Sequence, residues 1–278
     1  MAKKALIVGV NDYAPIGTGG PDLNGCVNDA TDMANTLVIC GFRPADIRIL
    51  TNSNATNSNI KKWLDWLFKG IKTGDSLVFY YSGHGTRVTS FGDDLEVDGL
   101  DEAICPHDFQ TAGVIRDDEF RTLFTQKMKA GVNLEVIFDC CHSGTGTRNL
   151  SRGLNELQQD LRVRMIESDA ETQFYSAYVH ELKGAETAAT RQLVPVSRLN
   201  HTLWAGCKDN QLSYESSVSG QVRGHFTKEL CKVLRATSGN ITRRLLDQQV
   251  QRALANYGNN QTNQTESKTA EFSQRIFS

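Results

Sequence analysis

The sequence predicts an α/β fold in which a mainly parallel sheet is covered by helices on both faces. Short apolar runs alternate with longer segments whose apolar residues recur at helical spacing. The first run, Ala5–Val10, is apolar throughout, as in a strand that is buried on both faces. The chain of 278 residues is long enough for one large domain of this kind.

The elements follow one another in a regular order. After Ala5–Val10, either Asn28 or Asp29 can cap a helix that reaches about Cys40, where Gly41 ends it. Five further strands are expected, at Asp46–Thr51, Ser76–Tyr81, Leu134–Phe138, His201–Ala205 and Glu271–Ile276. Further helices are expected after a cap at Ser58, over Asp117–Ala130, and along the apolar stripes Phe226–Leu234 and Leu246–Tyr257. These elements predict a sheet of six strands.

Three stretches do not fit this alternation. Arg87–Gly113 is acidic and contains glycine, and Asn259–Lys268 is rich in Asn, Gln and Thr and is expected to be a flexible loop. Thr145–Asn200 is long and polar, and we expect a short helix within it at Gln158–Glu167. A connection of that length within one domain is usually functional or mobile.

Composition and charge exclude several classes of protein. The formal net charge is −2, which removes the main driving force for binding nucleic acid or acidic membranes. The chain contains no run of 18 apolar residues, and its N-terminus lacks the cleavage site of a signal peptide. Seven cysteines without a CxxC pair argue against a disulfide framework and a zinc ribbon. We therefore expect a cytoplasmic protein, a monomer without nucleic-acid or membrane partners.

Two segments that directly follow apolar strands carry reactive side chains. His84 lies in the segment Tyr80–Thr86, and a pair of cysteines lies in Asp139–Thr145. Ligands bind at the carboxyl ends of parallel strands, so His84 and one cysteine meet there if the two strands are neighbours. A histidine beside a cysteine is the minimal pair for nucleophilic catalysis, because the thiolate is the reactive form. The main-chain N–H groups of Gly144 and its neighbours can bind an oxyanion beside the sulfur, and we assign Gly85 to the same role.

The alternation of side chains along a strand distinguishes the two cysteines. If the strand continues through Cys141, then Asp139 and Cys141 share one face, while Cys140 points into the core with Phe138. This favours Cys141 as the nucleophile. His142 is adjacent to it and points away, so we interpret His142 as an orienting or structural group.

The motifs YSGHGT and DCCHSGT resemble those of the caspase-like cysteine peptidases, specifically the metacaspases and orthocaspases. The resemblance extends to ALIVGVNDY, to Gly25–Ala30 and to Trp204–Gln211, which is similar to the start of the small-subunit region. It implies a caspase-type three-layer α/β/α sandwich, with His84 as general base and Cys141 as nucleophile. The chain then forms a single peptidase domain with a large-subunit-like region (1–147), a linker (148–200) and a small-subunit-like region (201–278).

The resemblance also implies what this peptidase cleaves. In metacaspases, the residues matching Cys26, Asp29, Ser82 and Asp139 line the pocket for the side chain before the scissile bond. Two carboxylates in a cleft attract a cationic side chain, so cleavage after Arg or Lys is expected rather than after Asp. The basic linker is then a substrate of the enzyme itself, and we expect self-cleavage at one of its basic residues, Arg148, Arg152, Arg162, Arg164, Lys183 or Arg191.

The acidic stretch raises the question of a metal. Many metacaspases are activated by calcium, and Asp101, Asp117 and Asp118 match three acids that bind it. At the place of a fourth acid this chain has Thr145–Asn149, which includes Arg148. Asp117 and Asp118 also suit the first turn of a helix, whose dipole favours acids. The chemistry itself requires no cofactor, and calcium is a possible additional ligand.

Three alternatives remain open from the sequence. A separase- or gingipain-like peptidase shares the His-Gly and Cys strand ends and differs only in substrate. A non-catalytic caspase-like regulatory module would lack His84 or Cys141, and both are present. A nucleotide-binding domain would need a phosphate loop after the first strand, and Gly17–Gly20 lacks the residues that complete one.

Overall fold

The computed structural model describes residues 1–14, 22–89, 100–141, 161–166, 201–208, 211–218 and 220–278. Its central sheet has six strands, as expected. In chain order they are β1 (Lys3–Gly9), β2 (Ile47–Thr51), β3 (Ser76–Ser82), β7 (Asn133–Asp139), β9 (Thr202–Ala205) and β12 (Gln264–Glu266). They lie in the order β12-β9-β7-β3-β1-β2, and every pair is parallel except that of β12 with β9.

Helices cover both faces of the sheet and give the expected three layers. They are α1 (Cys26–Ile39), α2 (Asn57–Phe68), α3 (Phe109–Ala112), α4 (Asp117–Lys127), α5 (His225–Thr237) and α6 (Arg243–Leu254). Alternate residues of β1 point to opposite faces. Ala5 and Ile7 pack with α1, α5 and α6, whereas Leu6 and Val8 pack with α2 and α4. Burial on both faces explains why the central strands are continuous apolar runs.

Two small antiparallel sheets flank the carboxyl ends of the central strands. One is formed by β4 (Gly85–Thr89), β5 (Leu100–Ile104) and β6 (Ile115–Arg116). The other is formed by β8 (Arg162–Val163), β10 (Tyr214–Val218) and β11 (Gln221–Gly224). The first sheet begins directly after His84, and the second contains part of the predicted linker. Both therefore border the predicted site.

Three predicted elements differ in the structure. The last strand is β12, within the stretch expected to be a loop, whereas Glu271–Ile276 contains the end of a 3₁₀ turn at Thr269–Ser273. The β12 main chain pairs with β9 at the sheet edge, where side-chain polarity matters little. The described part of Gln158–Glu167, residues 161–166, is extended and contains β8 instead of a helix. Its main chain finds partners in β10, which lies far away in sequence.

Helix starts differ in smaller ways. Thr56, rather than Ser58, caps α2 and accepts a hydrogen bond from the N–H of Asn59. Helix α1 begins at Cys26 after Gly25, and the side chain of Asn11 accepts the N–H groups of Cys26 and Val27. Asp29 is therefore not the cap of this helix. Among the described residues, no helix is both long enough and apolar enough to cross a membrane.

Candidate active site

The site lies where two neighbouring parallel strands end. The register of β3 and β7 places Ser82 opposite Asp139, and His84 and Cys141 each follow two residues later. Both side chains are completely buried. The pairing of β3 with β7 thus brings the predicted base and nucleophile to the same edge of the sheet, as the sequence argument required.

The two adjacent cysteines have different surroundings. Cys140 packs on the face of the sheet that carries α2 and α4, in the cluster that contains Phe79 and Val136. Cys141 lies in a separate cluster with Met165, Cys207 and Tyr214. The expected alternation of faces therefore holds beyond the last residue of β7. Met165 packs in the cluster of Cys141, whereas its neighbour Ile166 packs against the cluster of Cys140.

The main chain of Ser213 contacts the sulfur of Cys141 from two directions. The N–H of Ser213 donates to Cys141 Sγ at 2.6 Å, and the thiol donates to the Ser213 carbonyl oxygen at 3.3 Å. An N–H directed at sulfur stabilises negative charge on it. A thiolate at this position would thus have a hydrogen-bond donor already in place.

Two tyrosines position the main chain of His84. The His84 N–H donates to the Tyr13 hydroxyl at 2.7 Å, and the Tyr81 hydroxyl donates to the His84 carbonyl at 2.8 Å. The rings of Tyr13 and His84 are 5.0 Å apart between centroids. Burial raises the pKa of both phenols well above its usual range, so both hydroxyls stay protonated. A side chain at Gly83 would collide with these hydroxyls, which accounts for the glycine there.

The four residues predicted to line the specificity pocket lie together, and an arginine of the same chain fills the space between them. The Arg164 guanidinium is completely buried. Its Nη2 is 2.6 Å from Asp29 Oδ2, and its Nη1 is 3.0 Å from Asp139 Oδ2 and 2.7 Å from Ser82 Oγ. Cys26 borders the same space, with its Sγ 4.0 Å from an oxygen of Glu215.

Glu215, on β10, is a third acid of this pocket that the sequence analysis missed. Its Oε2 lies 3.1 Å from Arg164 Nη2, and its two oxygens accept the main-chain N–H groups of Asn24 and Gly25. It reaches the pocket from the small-subunit-like region, across the long linker. No local motif marks it. Its hydrogen bonds from Asn24 and Gly25 join residues about 190 positions apart, and such tertiary contacts leave no local sequence signal.

The carboxylates are held by donors as well as by Arg164. Asp139 accepts from the hydroxyls of Ser213 and Thr227, both at 2.6 Å, and from the N–H of Thr227. Asp29 accepts the N–H of Gly224 at 3.1 Å. Gly224 and Thr227 lie at the N-terminal end of α5, where N–H groups lack helical partners, whereas Ser213 directly precedes β10. The helix therefore fixes two acids that come from β7 and α1.

Burial and charge set the protonation of this cluster. Burial raises the pKa of Asp29 to about 6, and Asp139 adds to the rise while Arg164 opposes it. Burial also disfavours the charge on Arg164, but Asp139, Asp29 and Glu215 outweigh it, so the pKa of Arg164 lies well above its usual value. One cation thus faces three carboxylates.

The Arg164 carbonyl lies between the predicted base and the predicted nucleophile. Its oxygen accepts the N–H of Gly85 at 3.1 Å and the N–H of Cys141 at 3.0 Å. The N–H groups of Gly85 and Cys141 thus point to the same carbonyl oxygen. His142 and Gly144 lie outside the described residues.

The predicted calcium ligands come together only in part. In the part of the chain that the structure describes, neither Asp101 oxygen has a hydrogen-bond partner, and Asp117 Oδ1 has none. Burial raises the pKa of Asp117 to about 7, helped by Asp118, Glu102 and Asp101. Asp101 lies 3.6 Å from an Arg116 nitrogen, and Asp118 pairs with Arg121. Over the described ranges no three His, Cys, Asp or Glu side chains could hold a metal ion together. Asp93–Asp98 and Thr145–Asn149 lie outside those ranges.

Known proteins that this chain resembles in sequence are metacaspases. The family model described as "Metacaspase, peptidase C14 domain" matches residues 3–148. Metacaspase-1B of Aspergillus oryzae is 34% identical over 260 residues, and Metacaspase-1 of Scheffersomyces stipitis is 34% identical over 265. Each alignment covers 84% of this chain, and the chain spans 60% and 62% of the length of these relatives.

A solved structure shares the fold along the whole chain. A crystal structure of a protein from Geobacter sulfurreducens superimposes with a TM-score of 0.71 and is 27% identical. The superposition covers 100% of this chain and 99% of that one. Together with the meeting of His84 and Cys141 at one sheet edge, these matches lead to one conclusion: the chain belongs to the metacaspase family of peptidase C14 domains.

Proposed function

We propose that this chain is a cysteine endopeptidase that cleaves peptide bonds after Arg or Lys. Its nucleophile is Cys141 and its general base is His84. One observation carries the proposal: an arginine side chain lies in a pocket of three carboxylates, while its carbonyl accepts N–H groups from Gly85 and Cys141. A substrate needs these two features together, a bound side chain and a polarised carbonyl.

The proposed chemistry uses groups already in place. His84 takes the thiol proton of Cys141, and the thiolate attacks the carbonyl carbon of the residue in the pocket. The oxyanion that forms is stabilised by the N–H groups of Gly85 and Cys141. His84 then returns the proton to the leaving amine, and water hydrolyses the thioester. This chemistry needs no cofactor.

Charge and shape support the choice of substrate. An aspartate side chain in this pocket would meet the carboxylates of Asp29, Asp139 and Glu215 without a counter-charge, so cleavage after Asp is disfavoured. A guanidinium presents two nitrogens in a planar fork, and here each contacts a different carboxylate. A lysine ammonium is a single point charge and satisfies fewer of these acceptors. We therefore expect Arg to be preferred over Lys.

Self-cleavage is part of this proposal. The linker region holds several basic residues, and one part of it, residues 161–166, lies against the site. After a cut, the two pieces would stay together, because β9 pairs with β7 inside the sheet. The proposed partners are thus protein or peptide substrates with Arg or Lys at the cleavage site, including the chain itself.

Calcium is proposed only as an additional ligand. Both carboxylate oxygens of Asp101 and Oδ1 of Asp117 are buried without a hydrogen-bond partner among the described residues, and a bound cation would satisfy them. Calcium takes about six to eight oxygens, so these two acids alone do not make a complete site. Asp118 is the third acid that the family pattern would add.

A panel of fluorogenic peptides tests the proposed activity. Peptides that differ only at the residue before the reporter carry Arg, Lys, Asp or Leu, and each is assayed with calcium and with a chelator. We expect cleavage after Arg, weaker cleavage after Lys, and no cleavage by Cys141→Ala. Cleavage after Asp, or equal rates for Arg and Leu, would contradict the proposal.

A further inference from the structure

The loop before β12 brings a glutamine to the site from the edge of the sheet. Because β12 pairs antiparallel with β9, with Gln264 opposite Ala205, the residues before Gln264 lie beside those after Ala205. The side-chain amide nitrogen of Gln261 donates to the Gly206 carbonyl at 2.8 Å and to the Ser213 hydroxyl at 3.1 Å. Gln261 is only 3% exposed. Part of the stretch that was expected to be a flexible loop is therefore packed against the site.

The contacts of the Ser213 hydroxyl fix the direction of its hydrogen bond. A serine hydroxyl has one hydrogen to donate. The Gln261 amide nitrogen can only donate, so Ser213 Oγ accepts from it, and the hydroxyl hydrogen points to Asp139 Oδ1 at 2.6 Å. The same amide nitrogen also donates to a carbonyl oxygen, which fixes the orientation of the amide. Two hydrogen bonds thus run in one direction, from Gln261 through Ser213 to Asp139.

Ser213 contacts the nucleophile as well as the pocket. Its main-chain N–H donates to Cys141 Sγ at 2.6 Å, while its side chain donates to Asp139. Gly206 packs closely against this second hydrogen bond, since a Cβ there would lie 3.0 Å from both Asp139 Oδ1 and Ser213 Oγ. The missing side chain at Gly206 leaves room for the two partners. Main chain and side chain of one residue therefore hold two different parts of the site.

Packing alone does not account for a glutamine at position 261. Its Oε1 is buried and has no hydrogen-bond partner among the described residues. A buried oxygen without a partner costs free energy, so an apolar side chain of the same length would pack there at lower cost. The amide nitrogen, in contrast, has two partners, and both lie beside Asp139. The donor is therefore the part of Gln261 that the fold uses.

We propose that Gln261 is a positioning residue for this peptidase, which acts through Ser213 to orient the carboxylate of Asp139. The inference rests on the proposed function. With Oδ1 held by Ser213, Asp139 directs Oδ2 to the guanidinium in the pocket, at 3.0 Å. A carboxylate that is already oriented does not have to be ordered when the substrate side chain binds. Loss of the donor should therefore weaken substrate binding more than it slows the chemical step.

Steady-state kinetics of Gln261→Met test the inference, because methionine has about the same length and lacks the amide. KM for an arginyl peptide should rise about 10-fold, whereas kcat should fall less than about 2-fold. Gln264→Met is the matched control in β12, where the same change removes a hydrogen bond to Glu266, and its KM should equal that of the wild type. Equal KM values for Gln261→Met and Gln264→Met, or a fall in kcat at constant KM, would overturn the inference.

A second set of variants tests whether Gln261 acts through Ser213. Ser213→Ala removes the hydroxyl and keeps the N–H that contacts Cys141, so KM should rise as it does in Gln261→Met. In the double variant KM should rise little beyond that of Ser213→Ala, whereas independent residues would multiply their effects. Ser267→Ala is the control, a buried serine that donates to Glu271 at 2.8 Å, and it should keep the wild-type KM. Multiplied effects in the double variant would contradict the proposed route.

The same measurements separate the inference from the proposed function. If Gln261→Met fails to fold, the comparison of Ser213→Ala with Ser267→Ala still tests whether the hydroxyl orients Asp139. A wild type that cleaves arginyl peptides, together with an unchanged KM in Ser213→Ala, would overturn the inference and leave the proposed function in place. If the wild type cleaves no arginyl peptide, the proposed function is wrong and the inference fails with it.

Discussion

The main-chain N–H of His84 donates a 2.7 Å hydrogen bond to the hydroxyl of Tyr13. Tyr13 also hydrogen-bonds to Tyr81, whose hydroxyl donates to the His84 carbonyl. The N–H of His84 thus hydrogen-bonds to a tyrosine of the segment that follows β1, and its carbonyl hydrogen-bonds to a tyrosine of β3. Two tyrosine hydroxyls therefore help to hold the main chain of His84.

Tyr13→Phe should lower kcat about 10-fold with little change in KM, because it leaves the His84 N–H unpaired and loosens the base. The loss of a buried acceptor should also cost about 1–3 kcal/mol of unfolding free energy. Tyr257→Phe is the matched control, since it also removes a phenol that hydrogen-bonds to Glu229, on α5. Steady-state kinetics and thermal unfolding measure both effects. Equal kinetic losses in the two variants would argue against a positioning role.

Cys141→Ala should abolish peptide cleavage, whereas Cys140→Ala should retain most of it. Cys140 lies in the apolar cluster with Phe79 and Val136, so its truncation should cost only stability, about 1 kcal/mol. Labelling with an arginyl electrophile, followed by mass mapping, identifies the reactive thiol directly. If both folded variants lost activity equally, the assignment of the nucleophile to Cys141 would not stand. His84→Ala should be as severe as Cys141→Ala, because a dyad acts as a unit.

Asp139→Ala should lower kcat/KM for arginyl peptides, because it removes one partner of a buried ion pair. The fall should correspond to a loss of about 2–5 kcal/mol of transition-state stabilisation. Glu215→Gln should have a smaller effect, about 1–3 kcal/mol, since the amide oxygen still accepts a main-chain N–H. Glu119→Gln, which breaks an exposed ion pair with Lys61, is the control for the same change of charge. An unchanged kcat/KM for Glu215→Gln would show that Glu215 does not contribute to binding the substrate side chain.

The fall of kcat/KM at low pH should follow the protonation of Asp29. Its pKa is about 6 with Arg164 in the pocket, because burial and Asp139 raise it while Arg164 opposes the rise. Once Arg164 leaves, that opposition is lost, so the free enzyme should titrate at or above this value. Since a cationic substrate needs the carboxylate, kcat/KM should rise with pH through this range and then level off. In Asp29→Asn, kcat/KM should be low and should not change with pH over this range.

The same pKa has an effect on stability of known sign. Asp29 binds its proton more tightly in the folded chain than at the ordinary value of 3.8. Its contribution to the free energy of unfolding should therefore fall as pH rises from about 4 to about 6. Chemical denaturation of Cys141→Ala, with and without Asp29→Asn, measures this contribution. An identical pH dependence in the two proteins would contradict the shifted pKa.

Calcium should raise the unfolding temperature of Cys141→Ala, and Asp117→Asn should remove that rise. The reason is that a cation would satisfy buried carboxylate oxygens that lack hydrogen-bond partners in the described residues. Asp65→Asn, an exposed acid paired with Lys127, is the control. Thermal unfolding with calcium and with chelator measures the effect. Equal unfolding temperatures in both conditions would exclude calcium binding at these acids.

Local sequence signals predicted the elements of the sheet core well and those of its edges poorly. Ser76–Tyr81 and Leu134–Phe138 are apolar runs, and both are central strands because burial on both faces demands that composition. The edge strand Gln264–Glu266 is polar and was expected to be loop. An edge strand is held by main-chain hydrogen bonds to a single neighbour, which leave little trace in side-chain pattern.

The sequence by itself determined the layered α/β fold, the two strand ends that carry His84 and Cys141, and the opposite faces on which Cys140 and Cys141 lie. All of these follow from local periodicity and from the alternation of side chains. Only the tertiary structure decided that Glu215 joins Asp29 and Asp139, that Tyr13 holds His84, and that Arg164 fills the pocket. These contacts join residues that lie far apart in the chain. Their geometry depends on how β10, α1 and the end of β1 pack together, and no local pattern encodes it.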